Sequence, residues 1–221
     1  MEKCAIVANI PVSLKILESK SDISNDILQA LKPLVNDYFK KVYDSVSVKI
    51  QELVVQSIKN APEYNSLLNG QLKAEFGLPD ADNRINELLE FWKYMHVEYR
   101  PVKIVNGLLE THFIIHMIQS DFNNVIHTGA AILQTEKGKD LNWLEWLLLL
   151  GDQTIIKDYV VKFGPNSNSR TGMAVMKGVT SGKWSVPAAY SGTLNDNWIT
   201  RAMDGADKDI NRLLSESMRD K

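Results

Sequence analysis

The chain has 221 residues, 44% hydrophobic and 24% charged, with a formal charge of −2. Such a chain can bury most of its apolar surface as one large domain or two small ones, and without a basic excess it is a poor wrapper of nucleic acid. Its single cysteine, Cys4, excludes a disulfide within the chain and any multi-cysteine metal centre.

The first seventeen residues, MEKCAIVANIPVSLKIL, contain a short apolar patch broken by Asn9 and Pro11. The patch is too interrupted for a secretory signal, and the later run Leu144–Leu150 is far below the ~18 residues of a membrane span. The expectation is a soluble protein made in the cytoplasm, with no membrane partner.

From Ile23 to Ile58 apolar residues recur in steps of three and four (Ile27, Leu31, Leu34, Tyr38, Val42, Val46, Ile50), which predicts one long amphipathic helix. Pro33 must kink that helix or start its main segment, and Ala61-Pro62 ends it. A second helix is expected over about Asp82–Trp92. His96–Ile104 alternates in part, with Pro101 favouring an edge strand. Leu108–Ile118 and Val125–Leu133, both rich in β-branched residues and separated by the polar Ser120–Asn124, read as two more strands.

Leu141–Leu150 predicts a short buried helix stopped by Gly151. Thr154–Phe163 predicts a strand with Ile155, Tyr159, Val161 and Phe163 on one face. Met173–Met176 reads as its short partner and Trp184–Pro187 as another extended piece. Thr193-Leu-Asn-Asp matches a capping box and predicts a final helix whose face includes Leu194, Trp198, Ala202, Ile210, Leu213 and Leu214. The order implies an α+β fold: long N-terminal helices, a central mixed or antiparallel sheet with a short packed helix, and a C-terminal helix. A helical region over 1–92 and an α+β core over 93–221, or one continuous domain, are the expected divisions.

The segment FGPNSNSRTGMAVM, Phe163–Met176, has the composition of a ligand loop. A phosphate loop needs a lysine after its second glycine and then a helix; here Gly164 and Gly172 are eight apart, no lysine follows, and a strand comes next. The loop is therefore expected to be a hairpin tip, with Arg170 either solvated or reaching a carboxylate on another subunit. His112 and His116 share a face of one strand but lack a third ligand, and His96 and His127 have no local partners. Glu145, flanked by Trp143 and Trp146, is the one carboxylate whose surroundings suggest a raised pKa, as a structural acid rather than a catalytic one. Nucleophile-elbow spacing is absent. No catalytic residue, cofactor or metal site is expected.

Several phrases resemble a pattern in neck and tail-completion (head–tail joining) proteins of tailed bacteriophages. They are Ala61-Pro-Glu-Tyr-Asn-Ser-Leu-Leu-Asn-Gly-Gln-Leu72, Leu141-Asn-Trp-Leu-Glu-Trp-Leu-Leu148, Ser169-Arg-Thr-Gly-Met173, Trp184-Ser-Val-Pro187 and Gly192-Thr-Leu-Asn-Asp-Asn-Trp-Ile-Thr-Arg-Ala202. The resemblance spans about Lys49–Met218; the additional N-terminal helices and the insertion around Gly77–Trp92 depart from smaller members. It implies a non-enzymatic virion protein of the neck or tail, assembled in the host cytoplasm as a hexameric or dodecameric homo-oligomeric ring. Its implied neighbours are portal or connector and tail tube or terminator proteins, with transient contact to passing DNA. Arg170, Trp184, Trp198 and Arg201 are the candidate interface anchors, since tryptophan and arginine commonly anchor such contacts. Two other readings are a soluble helical adaptor working through the Ile23–Ile58 stripe and a small hydrolase using Glu145 or a histidine.

Overall fold

A computed structural model describes residues 19–93, 96–116, 119–134 and 140–219; Cys4 and the apolar patch around Asn9 and Pro11 lie outside them. In chain order the elements are α1 (Lys20–Asn60), α2 (Pro62–Asn69), α3 (Gln71–Phe76), α4 (Ala81–Trp92), β1 (His96–Val105), β2 (Leu108–His116) and α5 (Gln119–Ile126). They continue as β3 (Ile132–Gln134), β4 (Asp140–Asn142), α6 (Trp143–Leu148), β5 (Ile156–Phe163), β6 (Ala174–Trp184) and α7 (Trp198–Arg219). The α+β class holds. Among the described residues the strands pair two by two, β1 with β2, β3 with β4 and β5 with β6, in place of one central sheet.

The start of α1 has a local cause. Ser19 Oγ accepts from the Asp22 amide at 3.2 Å while Asp22 Oδ2 accepts from the Ser19 amide at 3.0 Å, a reciprocal capping box. The Ser19 hydroxyl, bonded to the same carboxylate, holds the Asp22 pKa below its usual value. Pro33 lies inside α1 and not at its start.

Contacts divide the chain into two units, and not at 92/93. One unit comprises Met1–Phe39 with Arg100–His112. Its hairpin closes through Asn106 and Gly107, both at positive φ (51° and 75°), the Asn-Gly signature of a tight turn. The Asn36 side chain accepts from the Val102 amide at 3.1 Å, and Val102 is the one buried hydrophobic residue among this unit's described residues.

The other unit, Lys40–Tyr99 with Phe113–Lys221, holds the core. Val42, Val46, Ile50, Val54 and Ile58 on α1 are buried, as are Trp92, Trp143, Trp198 and Phe76. Trp92 meets Trp198 edge-to-face at 5.1 Å, and Phe76 meets Trp184 at 5.7 Å and Trp143 at 6.1 Å. On α6, Trp143, Leu144, Leu147 and Leu148 are fully buried, worth about 1.5–3 kcal/mol for each leucine.

Three expectations need correction. Val125–Leu133 is not a strand: Ser120–Asn124 and Val125–Ile126 belong to α5, and only Ile132–Gln134 extends. Phe122, Val125 and Ile126 are buried at helical spacing, so burial of one face overrides β-branched propensity. The final helix begins at Trp198, not after Thr193; Asn197 Oδ1 caps it by accepting from the Ile199 and Thr200 amides at 3.0 and 3.1 Å. Thr193 and Asp196 instead exchange backbone hydrogen bonds, so Leu194 sits in a turn. Finally, β6 runs unbroken from Ala174 to Trp184, so Trp184 ends that strand and starts no other.

Candidate functional site

The loop between β5 and β6 uses its polar side chains on itself. Gly164 donates to the Met173 carbonyl at 2.8 Å, and Asn166 Oδ1 accepts from the Asn168 amide at 2.9 Å. Ser169 Oγ accepts from the Ala174 amide at 3.3 Å. Gly164 and Gly172 have φ of 126° and 72°, angles a side chain resists. No helix follows the loop. It is a hairpin tip, and its backbone donors close the turn.

Arg170 points back onto its own chain. Its Nη2 donates to the Phe76 carbonyl at 3.2 Å, at the C-terminal end of α3 where carbonyls lack helical partners. The next residue, Gly77, turns left-handed (φ 64°), and a Cβ there would lie 2.9 Å from the same Nη2. Thus the glycine makes room for the guanidinium, which ties the hairpin tip to α3.

Arg201 is also held within the chain. Its Nη2 donates to Glu63 Oε1 and its Nη1 to Asp196 Oδ1, both at 2.7 Å. Glu63, on α2, is 1% exposed. Burial works against the Arg201 charge, but hydrogen bonds and charges from Glu63 and Asp196 outweigh it and raise its pKa. Beside this pair, Asn197 Nδ2 donates to the Thr193 carbonyl at 2.8 Å and reaches that of Leu148 at 3.3 Å, so one buried amide joins α6, the turn and α7. Gly192 fits beneath: a Cβ there would lie 1.9 Å from the Leu147 carbonyl oxygen.

Trp198 is fully buried, with Nε1 donating to the Ile58 carbonyl at 3.3 Å, and Trp184 is 6% exposed against Phe76. All four expected anchors, Arg170, Trp184, Trp198 and Arg201, are thus engaged inside one chain, and an intersubunit role gains no support from their placement. The pattern that carried them, Trp and Arg within polar phrases, marks packing at the joins of α2, α3, α6 and α7.

The remaining titratable groups are scattered. His112 is exposed on β2, and His127 Nδ1 pairs with the Asn123 carbonyl at 2.6 Å. Glu145 is half-buried on α6, its amide donating to Asn142 Oδ1. Glu75 is the carboxyl that burial pushes up, against hydrogen bonds from Gln71 and Trp184 that pull it down. Glu75 Oε2 and Trp184 Nε1 are both buried without a well-formed hydrogen bond. Among the described residues no three His, Cys, Asp or Glu converge as metal ligands, and no helix is long and apolar enough to cross a membrane. Two open grooves lie on this unit. One, of ≈ 530 Å³, is lined by Lys40, Tyr43 and Asp44 with His96, Glu98 and Tyr99; the other, of ≈ 430 Å³, lies between Lys49, Glu52 and Gln56 of α1 and Asp209, Arg212 and Glu216 of α7.

What the sequence pattern did not separate is the two halves of α1. Beyond Val42 its stripe is core; before Phe39 it is not. Ile23 (39% exposed), Ile27 (55%), Leu31 (42%) and Leu34 (67%) form an apolar line open to solvent. Both halves share one periodicity, so no local signal divides them.

Comparison with protein-family models, with curated proteins and with solved structures found no match for this chain.

Proposed function

We propose that the chain is a structural, non-enzymatic protein of the head–tail connection of a tailed bacteriophage, a subunit of a hexameric or dodecameric ring that joins capsid to tail and lets DNA pass. The carrying observation is the open stripe Ile23, Ile27, Leu31 and Leu34 on the first half of α1. A helix presenting four large aliphatic side chains to water gains on the order of 1 kcal/mol or more for each one a partner covers. A subunit that closes a ring through head-to-tail contacts needs such a surface. The place in the virion is supported by the phrases between Ala61 and Ala202, and the neighbours it implies are portal or connector on one side and tail tube or terminator on the other.

The same stripe favours a second reading, a soluble adaptor that lays α1 against a partner outside any particle. That reading is narrowed by the burial of Val42, Val46, Ile50, Val54 and Ile58: of the stripe itself, the part from Ile23 to Leu34 stays open to a partner. Mass spectrometry of purified particles separates the two. The chain in stoichiometric copy number within virions supports the neck reading; its recovery only in the particle-free fraction would sink it in favour of the adaptor.

A further inference from the structure

Charge is spread unevenly along this chain. Between Ile156 and Trp184 five cationic side chains, Lys157, Lys162, Arg170, Lys177 and Lys183, stand against one carboxylate, Asp158, an excess of +4 within a chain of net −2. Arg170 is committed to the Phe76 carbonyl. The four lysines are exposed, and none is paired with a carboxylate among the described residues.

Their register sharpens the point. Lys157 and Lys183 are direct cross-strand partners. Lys162 pairs with Val175 and Lys177 with Val160, so Lys162 and Lys177 are diagonal neighbours on one face. Opposed like charges destabilise an antiparallel pair, and long side chains on the diagonal are still within reach of one another. The ribbon therefore holds two like-charge pairs against a single carboxylate, Asp158, which forms no ion pair with these lysines among the described residues, an arrangement that a polyanion relieves.

We propose that the β5–β6 ribbon is a contact for double-stranded DNA, its four lysines lying against phosphates. A two-stranded ribbon is an element that the major groove of B-DNA admits. The donors are lysine point charges rather than arginine forks or amides aimed at base edges, so the contact positions and does not read sequence. With about four phosphates per subunit, binding falls as salt rises with a logarithmic slope of roughly −3.6. For the origin of the DNA the inference rests on the conduit reading above; the binding itself is measured independently of it.

Lysines also blunt the open edges of small sheets against unwanted pairing, and the experiment separates the two roles. The full chain is titrated into a labelled duplex of about 30 base pairs by fluorescence anisotropy, between ~50 and ~200 mM salt. The expected result is a slope between about −3 and −4, with the Lys162→Glu/Lys177→Glu variant losing at least about tenfold in affinity at ~50 mM salt and about two from the slope. The Lys40→Glu/Lys49→Glu variant, altered outside the ribbon, should change affinity by less than about threefold. Circular dichroism melting checks that each variant is folded. No binding at ~50 mM salt, equal loss in both variants, or aggregation of the ribbon variant with unchanged affinity would overturn the inference. So would tighter binding to polyglutamate than to DNA, which points to an acidic protein. A chain found in virions that ignores DNA defeats this inference alone; one that binds DNA through the ribbon but is missing from virions defeats only the neck assignment.

Discussion

Arg201 reaches Glu63 across 138 residues of chain, placing Nη2 at 2.7 Å and Nε at 3.2 Å from the same carboxylate oxygen. The carboxylate is buried on α2 while the guanidinium keeps about a third of its surface in water. Removing the cation strands a buried negative charge, which costs about 3–5 kcal/mol in a fully buried pair and less where solvent can enter. Arg201→Ala should therefore lower stability by about 2–3 kcal/mol, read from the urea midpoint. Pairing it with Glu63→Leu should recover much of the loss, because no charge is then left unpaired. If the double variant is as unstable as the single, the cost lies in packing and not in the stranded carboxylate.

Glu75 sets a pH dependence of opposite sense to that of a salt-bridged acid. Burial raises its pKa over the opposing pull of the Gln71 amide, which donates to Oε1 at 2.7 Å, and of the nearby Trp184 N–H. A carboxyl whose pKa is raised by folding adds stability that is fully present below the unfolded pKa and lost as pH rises through the folded value. Glu75→Gln keeps the shape without the charge. Its advantage over the parent should be absent near pH 4 and appear by pH 7, since both sides of that comparison share every other titrating group. Urea midpoints of both proteins at the two pH values test this; an advantage that does not grow with pH would contradict it.

Much of the fold is legible in the chain, and the misses have physical causes. The helices at Lys20–Asn60 and Ala81–Trp92 follow apolar periodicity, and the hairpin at Gly164–Met173 follows turn chemistry. The α5 region reads as strand because Val125 and Ile126 are β-branched; only the helical spacing of Phe122, Val125 and Ile126 betrays the buried face. At α7 two capping patterns lie four residues apart, Thr193-x-x-Asp196 and Asn197-x-x-Thr200. The second wins because the Asn197 amide also satisfies carbonyls of the turn and of α6. The intrachain placement of the candidate anchors is hidden for a related reason: aromatic and arginine residues serve core joins as well as interfaces, and Glu63, the partner that holds Arg201, lies far away in sequence. The open stripe on α1 is invisible locally, since only tertiary contacts determine which half of a uniform helix is covered.

Gly192 is a test of close backbone packing. A methyl group there would sit 1.9 Å from the Leu147 carbonyl oxygen and 2.6 Å from Asn197 Cβ. Gly192 also accepts from the Gly151 amide at 2.8 Å, so the two backbones are fixed against each other. Neither the α6 carbonyl nor the capped start of α7 can give way cheaply. Gly192→Ala should cost at least about 2–3 kcal/mol, in the overpacking range. For a chain of this size that is a fall in melting temperature of roughly 5–10 °C. Gly107→Ala provides the comparison: nothing lies within 4 Å of its Cβ, so only the left-handed backbone angle is strained, at about 1 kcal/mol. Equal losses at both sites would contradict the packing explanation.

The two halves of α1 should respond oppositely to the same kind of substitution. Ile27 and Leu34 are 55% and 67% exposed, whereas Val46 and Ile50 are fully buried. Glutamate is a good helix former, so Ile27→Glu/Leu34→Glu should leave the melting of the isolated chain within about 0.5 kcal/mol of the parent. Ile50→Ala, on the core half, should cost about 2–5 kcal/mol. In a complementation experiment the stripe variant should be made and folded yet fail to enter particles, because a partner would have to bury two carboxylates. A folded stripe variant incorporated at the parent's copy number would show that the stripe is ordinary exposed surface and would remove the observation on which the assembly role rests.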